Sequence, residues 1–249
     1  MYVVSTFPRA IPDSAFVGRS RELLDSYGFA RDNCLPMIGT CRDELAFALT
    51  APIQAAWGPA FSMSGLAGML VLGRTGVAAA RTHAPLLGGR RRFVLFGLTH
   101  IGVDCEGEIG RCERPGLERT TGACGALLAL EHELGGQQGH PVGPLDPEDP
   151  EQSLLRQRLL SRVEPGVAPD LVYLTRIALS VIVEDLRRAA GMLRRTDPAD
   201  VAVFTGIQIH APGGREYIEP GPCFLQLAGD ELEIPLALDG LSSVDPVRR

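Results

Sequence analysis

Three side chains able to bind a soft divalent metal stand at the ends of predicted elements: Cys41, His100 and Cys124. Cys41 follows the apolar run 35–40 and His100 follows the apolar run 92–99, and both runs predict buried strands. If those strands are adjacent and parallel, both side chains emerge at one edge of the sheet. Cys124 falls in the predicted first turn of a helix, where the helix dipole lowers the pKa of a thiol and favours the thiolate that zinc needs.

Two cysteines and one histidine form a ligand set that suits zinc, although the long intervals between them make their spacing weak support. Three protein ligands leave a fourth tetrahedral position for water, which is the pattern of catalytic zinc sites. A zinc-bound hydroxide can attack CO2 and release bicarbonate. Asp43, two residues after Cys41, is suited to orienting that hydroxide, and an arginine is needed to keep Asp43 off the metal.

The same residues allow other functions. Cys124 could be a nucleophile without metal, with His100 as its base and Asp104 as the group that orients the base, in a thiol hydrolase. A zinc protein without catalytic activity could instead sense bicarbonate or act as a scaffold. Asp43 could simply cap the helix that follows it. A zinc deaminase is disfavoured because neither His-x-Glu nor Pro-Cys-x-x-Cys occurs.

The elements that must position these residues predict one α/β domain over residues 1–249, with enough apolar sequence for a sizeable core. A surface linker is expected at 135–150 and a loose tail at 240–249. Residues 101–114 predict a hairpin that turns at Glu106-Gly107. Helices are predicted at 13–28, 151–163 and 170–195, and strands at 35–40, 92–99, 201–210 and 223–227, with a turn at 211–217.

Composition excludes several classes of function. The net charge is −6, every basic residue is arginine, and Arg90–Arg92 is the one basic run, so a nucleic-acid partner is not expected. No apolar stretch is long enough to span a membrane, and the first residues do not resemble a signal peptide. We therefore expect a cytoplasmic protein with reduced thiols.

A segment rich in glycine and other small residues, 58–82, predicts close packing around a small pocket. It lacks the motifs of phosphate-binding loops, which disfavours a nucleotide site. Candidate substrate-pocket residues in or beside this segment are Ser62, Ser64, Gly65, Leu66 and His83, of which His83 is also a rival metal ligand or a proton shuttle.

Five blocks occur in this order along the chain: CRDE, PAFSMSGLAGMLVLGRTGVAAARTHAP, FVLFGLTHIGVDCEGEIGRCERPG, TGACGA and GIQIHAPGGREY. Together they resemble the limiting-CO2-inducible protein B/C family, which is counted as the theta class of carbonic anhydrases. The resemblance implies an α/β fold with a central mixed sheet flanked by helices, similar to beta-class carbonic anhydrases. It also implies a homodimer, Zn²⁺ held by Cys41, His100 and Cys124, and CO2 and bicarbonate as substrate and product.

The sequence departs from the expected patterns at two positions. The beta-class pattern places an arginine two residues after the aspartate, where this chain has Leu45, and Thr99 precedes the histidine where a proline is expected. The partner of Asp43 must therefore come from elsewhere. Arg42, Arg74, Arg81 or another arginine could be that partner, and Arg42 is expected to be a catalytic residue together with Asp43.

Overall fold

The computed structural model describes residues 2–135, 143–164, 166–230 and 233–238. Residues 136–142 of the predicted linker and all of the predicted tail lie outside these residues. Of the described linker residues, 143–149 have no regular helix or strand and are largely exposed, whereas Gly135 and Pro150 belong to the flanking helices.

Helices and strands alternate along most of the chain. The helices are α1 (Tyr2–Thr6), α2 (Asp13–Asp25), α3 (Thr50–Trp57), α4 (Arg74–His83), α5 (Gly125–Gly135), α6 (Pro150–Leu160) and α7 (Leu171–Leu193), with 3-10 turns at Glu44–Leu49 and Leu66–Gly68. The strands are β1 (Ile11–Pro12), β2 (Leu35–Gly39), β3 (Phe61–Ser62), β4 (Leu86–Leu87), β5 (Arg90–Gly102), β6 (Arg111–Cys112), β7 (Thr121–Gly122), β8 (Ala199–Ala211), β9 (Arg215–Pro220), β10 (Phe224–Gln226) and β11 (Ile234–Pro235).

The central sheet is mixed and has the strand order β1-β9-β8-β5-β2-β3. The strands β3, β2, β5 and β8 are parallel, whereas β9 pairs antiparallel with both β8 and β1. This confirms the predicted α/β class. It also confirms that the strands before Cys41 and His100 are parallel neighbours, and the pairing of Gly39 with Gly97 brings both residues to the same edge.

Helices cover both faces of the sheet because its central strands are buried on both sides. Along β5, Phe93 and Leu95 belong to the core that α7 shares, while Val94 and Phe96 belong to the core beneath α2 and α3. The 23-residue α7 packs on β5 and β8 through a stripe of buried residues at helical spacing. No helix of the described residues is long and apolar enough to cross a membrane.

The predicted helices at 13–28, 151–163 and 170–195 are confirmed as α2, α6 and α7, and the predicted strands are confirmed as β2, β5, β8 and β10. Three local predictions are wrong. The strand β5 continues to Gly102, so His100 lies inside it, because β8 is equally long and pairs along its whole length. Most of the predicted turn at 211–217 is paired strand, with the reversal at 212–214. The helix α5 begins at Gly125, so Cys124 does not lie in its first turn.

Candidate metal centre

The structure brings the three predicted ligands together. The sulfur atoms of Cys41 and Cys124 and a ring nitrogen of His100 all lie within 4.8 Å of one another, and each side chain is at most 3% exposed. Cys41 and His100 meet because β2 and β5 are parallel neighbours. Cys124 lies in the segment that follows β7, which pairs with β6 in a short antiparallel ladder.

Cys124 has a left-handed backbone, with φ of 62°, which is uncommon for a residue with a side chain. Its carbonyl accepts hydrogen bonds from the amides of Leu127 and Leu128 at 3.0 and 3.1 Å. The amide of Ala123 donates to the carbonyl of Gly110 at 2.8 Å. Cys124 therefore stands directly before α5 and not in its first helical turn as expected. The surrounding hydrogen bonds hold this strained conformation in place, as often occurs at functional sites.

The pKa values of the Cys41 and Cys124 thiols are shifted in opposite directions. Although burial opposes the charged form, a hydrogen bond from Cys124 is the largest of the effects that lower the pKa of Cys41 to about 4. The Cys41 thiolate and burial in turn raise the pKa of Cys124 well above its usual value. A cation held by both sulfurs would displace the protons that remain on them.

His100 presents a nitrogen that suits a metal. Its Nε2 is buried and has no hydrogen-bond partner among the described residues, whereas its Nδ1 lies 2.9 Å from Nε2 of His210. An unpaired buried nitrogen is costly unless something binds it. Zinc at about 2.3 Å from sulfur and about 2.0 Å from nitrogen needs ligand atoms roughly 3.5–4 Å apart, which fits this group.

Asp43 is held beside the cluster by Arg114. Nη1 and Nη2 of Arg114 donate to Oδ1 and Oδ2 of Asp43 at 3.1 and 3.0 Å, and the amide of Leu45 donates to Oδ1 at 3.2 Å. Arg114 also donates from Nε to Thr121, from Nη2 to the carbonyl of Gly122, and from Nη1 to Glu44. Every donor of the guanidinium is therefore used, which fixes its plane and the carboxylate it faces.

The ionisation of Asp43 follows from this pairing. Burial opposes the charged form, but the hydrogen bonds from Arg114 and from the amide of Leu45 lower the pKa of the Asp43 carboxyl. Asp43 also accepts the Leu45 amide as the cap of the 3-10 turn, so capping and the arginine pair coexist. The carboxylate is an oriented anion at the edge of the site.

Arg42, one of the candidate partners of Asp43, points elsewhere. Its side chain is 57% exposed and makes a two-point ion pair with Glu151 at the start of α6. Arg81 is also engaged away from the site, with Asp197 and the carbonyl of Leu193. The partner is Arg114, which is 71 residues away from Asp43 and carries no local sequence signal that marks it. Only the tertiary position of the β6–β7 ladder identifies it.

The predicted pocket residues fall in two places. Ser64 lies near the cluster, because its Oγ accepts the amide of Thr40 at 3.2 Å, one residue before Cys41. Gly65 and Leu66 follow it, and a Cβ at Gly65 would lie 2.4 Å from the carbonyl oxygen of Met69.

His83 and Ser62 line a separate groove of about 570 Å³, together with Cys34 and Leu35 at the amino end of β2. His83 packs against Phe61 and is not part of the Cys41–His100–Cys124 group. The structure therefore does not bring His83 to the ligands as the rival ligand considered from sequence.

Asp104, the proposed orienting group of a thiol hydrolase, has a different role. Its carboxylate accepts the amides of Glu106 and Glu108 at 3.0 and 2.8 Å and so caps the turn of the predicted hairpin. The hydrogen-bond partner of His100 is His210, which the sequence analysis did not single out. The parallel pairing of β5 with β8, which are two long apolar runs in the sequence, is the signal that could have placed His210 beside His100.

Fold and site define the chain as an α/β protein with a buried Cys-His-Cys centre. The model of the family described as limiting CO2-inducible proteins B/C, beta carbonic anhydrases, matches residues 10–224. The chain belongs to this family.

Solved structures agree with that assignment. The limiting CO2-inducible protein LCIB is 32% identical with a TM-score of 0.77, and the alignment covers 95% of this chain and 97% of that chain. PtLCIB4, a homolog of LCIB, is 24% identical with a TM-score of 0.80, covering 94% of this chain and 98% of the other. No curated protein sequence matches the chain.

Proposed function

We propose that this protein catalyses the reversible hydration of CO2 to bicarbonate with a zinc ion held by Cys41, His100 and Cys124. The observation that carries the proposal is the buried group of two sulfurs and one unpaired histidine nitrogen within 4.8 Å, beside an aspartate fixed by Arg114. Membership of a carbonic anhydrase family supports CO2 and bicarbonate as the substrate and product.

When bound, zinc supplies a Lewis acid that lowers the pKa of a coordinated water so that attack on CO2 proceeds near neutral pH. The protein supplies the remaining chemistry. Asp43 would accept a hydrogen bond from the attacking water and so orient the water toward CO2. Arg114 holds the Asp43 carboxylate in place through two hydrogen bonds. We place Ser64, Gly65 and Leu66 on one wall of the pocket for the uncharged substrate, because Ser64 bonds the residue before Cys41.

The test is stopped-flow CO2 hydration on protein of known zinc content, measured across about pH 6.5 to 9. A zinc-dependent rate that rises with pH and is lost in Cys41→Ala supports the enzyme. Full zinc occupancy with no rate above buffer contradicts it.

The near-complete burial of all three ligands favours a second candidate, a zinc-binding relative that senses bicarbonate or acts as a scaffold without turnover. That candidate requires stoichiometric zinc without hydration activity, so the same measurement separates the two. The homodimer implied by the resemblance is likewise a proposal, which sedimentation velocity tests.

A further inference from the structure

A row of polar side chains leads away from the candidate metal ligand across three strands. In the parallel register His100 pairs with Gln208, so His210 is its diagonal neighbour on the same face of the sheet. In the antiparallel register Glu216 lies directly opposite His210. The strands β5, β8 and β9 therefore fix the order His100, His210, Glu216.

Hydrogen bonds join the row. Nδ1 of His210 lies 2.9 and 2.8 Å from the two carboxylate oxygens of Glu216, and Nε2 of His210 lies 2.9 Å from Nδ1 of His100. The side chain of His210 is 4% exposed and that of Glu216 is 18% exposed. Nε2 of Gln208 also approaches Glu216, at 3.4 Å. The row is thus largely shielded from water.

The chemistry of these groups sets the direction of each bond. A carboxylate only accepts, so Nδ1 of His210 carries the hydrogen that points at Glu216. Nε2 of a neutral His210 is then an acceptor, which requires Nδ1 of His100 to be the donor. The remaining nitrogen of His100, Nε2, is left with its lone pair free, and it is the atom with no partner among the described residues.

We propose that His210 and Glu216 are positioning residues that fix the tautomer and ring orientation of His100, so that Nε2 is ready to bind the metal before the metal arrives. The inference rests on the proposed metal site but reaches beyond it, because it assigns roles to two residues outside the Cys-His-Cys group and the Asp43–Arg114 pair. Neither residue touches the metal position. They act through His100, as the outer partners of metal-binding histidines do.

The first test measures zinc affinity by competition with a chromophoric chelator. His210→Ala and Glu216→Ala are expected to weaken zinc binding about 10–100-fold, which is the usual effect of losing such a partner. His210→Gln is expected to restore most of the affinity, because its side-chain carbonyl can accept from Nδ1 of His100 without help from Glu216.

Glu219→Ala is the matched control. Glu219 lies on β9, as Glu216 does, and it is a buried carboxylate that forms an ion pair with Arg176. It tests whether disturbing β9 alone weakens zinc binding, and it is expected to leave the affinity within about 2-fold. An equal loss in Glu219→Ala, or affinity within about 2-fold of wild type in His210→Ala, would overturn the proposal.

The second test is nitrogen-15 NMR of the histidine rings in the metal-free protein. The expected spectrum shows His100 as the tautomer with hydrogen on Nδ1, and His210→Ala is expected to lose that preference while His210→Gln keeps it. A wild-type His100 with hydrogen on Nε2 would overturn the inference. This measurement needs neither zinc nor CO2. Absence of hydration activity would therefore contradict the proposed function but would not decide whether His210 and Glu216 position His100.

Discussion

Arg114 donates hydrogen bonds to both carboxylate oxygens of Asp43 and so joins the loop after β6 to the segment that follows Cys41. The same guanidinium bonds Thr121 and Gly122, which lead into Cys124. One side chain therefore couples the segments that carry the two candidate cysteine ligands. This arrangement makes the relative positions of Cys41 and Cys124 depend on Arg114.

Replacing Arg114 tests that dependence. Arg114→Ala is expected to lower CO2 hydration about 10–100-fold at full zinc occupancy, because Asp43 loses its fixed orientation. The comparison variant is Arg42→Ala, which removes an exposed pair with Glu151 that contributes about 0–1 kcal/mol. A similar loss of rate in both variants would contradict the assignment of Arg114 as the partner of Asp43.

Metal removal should lower stability as well as activity. A ligand that binds only the folded state at about 100 times its Kd adds about 2.7 kcal/mol. For a domain of this size, zinc extraction is therefore expected to lower the Tm by roughly 5–10 °C, as followed by calorimetry. His100→Ala should remove most of this zinc-dependent shift, while exposed His132 on α5 provides a control in His132→Ala. A Tm of the wild type that does not depend on zinc would argue against the site.

The left-handed backbone of Cys124 gives a second stability prediction. Cys124→Ala and Cys124→Gly both remove the thiol, but alanine keeps the strained φ of 62° whereas glycine adopts it freely. In metal-free protein Cys124→Gly is expected to be more stable than Cys124→Ala by about 1 kcal/mol in urea unfolding. A variant pair in the opposite order would show that the backbone at this position relaxes to another conformation.

Thiol reactivity separates the metal site from a Cys-His hydrolase. At about pH 8 the exposed Cys105 should alkylate first. Cys34 should stay unreacted because burial raises its pKa to about 12, and Cys124 should stay unreacted because it is fully buried with a raised pKa. Peptide mass mapping over time gives the order. Rapid labelling of Cys124 in freshly purified protein would favour the hydrolase.

Much of the fold could be predicted from sequence, since long apolar runs indicate β2, β5 and β8, and apolar residues at helical spacing indicate α7. The grouping of Cys41 with His100 followed from those runs once parallel neighbours were assumed. Arg114 could not be found in this way, because the ion pair spans 71 residues and depends on how the short β6–β7 ladder folds over the sheet edge. Local spacing cannot report such a contact.

The pairing of His210 with Glu216 was closer to being predictable from the sequence. The turn at 212–214 connects β8 to β9, and the antiparallel register of these strands places His210 opposite Glu216. Assigning residues 215–220 to a strand would therefore have predicted this pairing. The segment was instead predicted to be a turn up to residue 217. Its two glycines, Gly213 and Gly214, both have positive φ and mark only the reversal itself.

The most direct test of the central claim is a reconstitution titration. Metal-free protein receives increasing zinc, and bound zinc and CO2 hydration are measured on the same samples. The account predicts a rate that rises in proportion to bound zinc, reaches its maximum at one zinc per chain, and is absent in Cys41→Ala. A rate that is independent of zinc, or one bound zinc per chain with no rate above buffer, would contradict it.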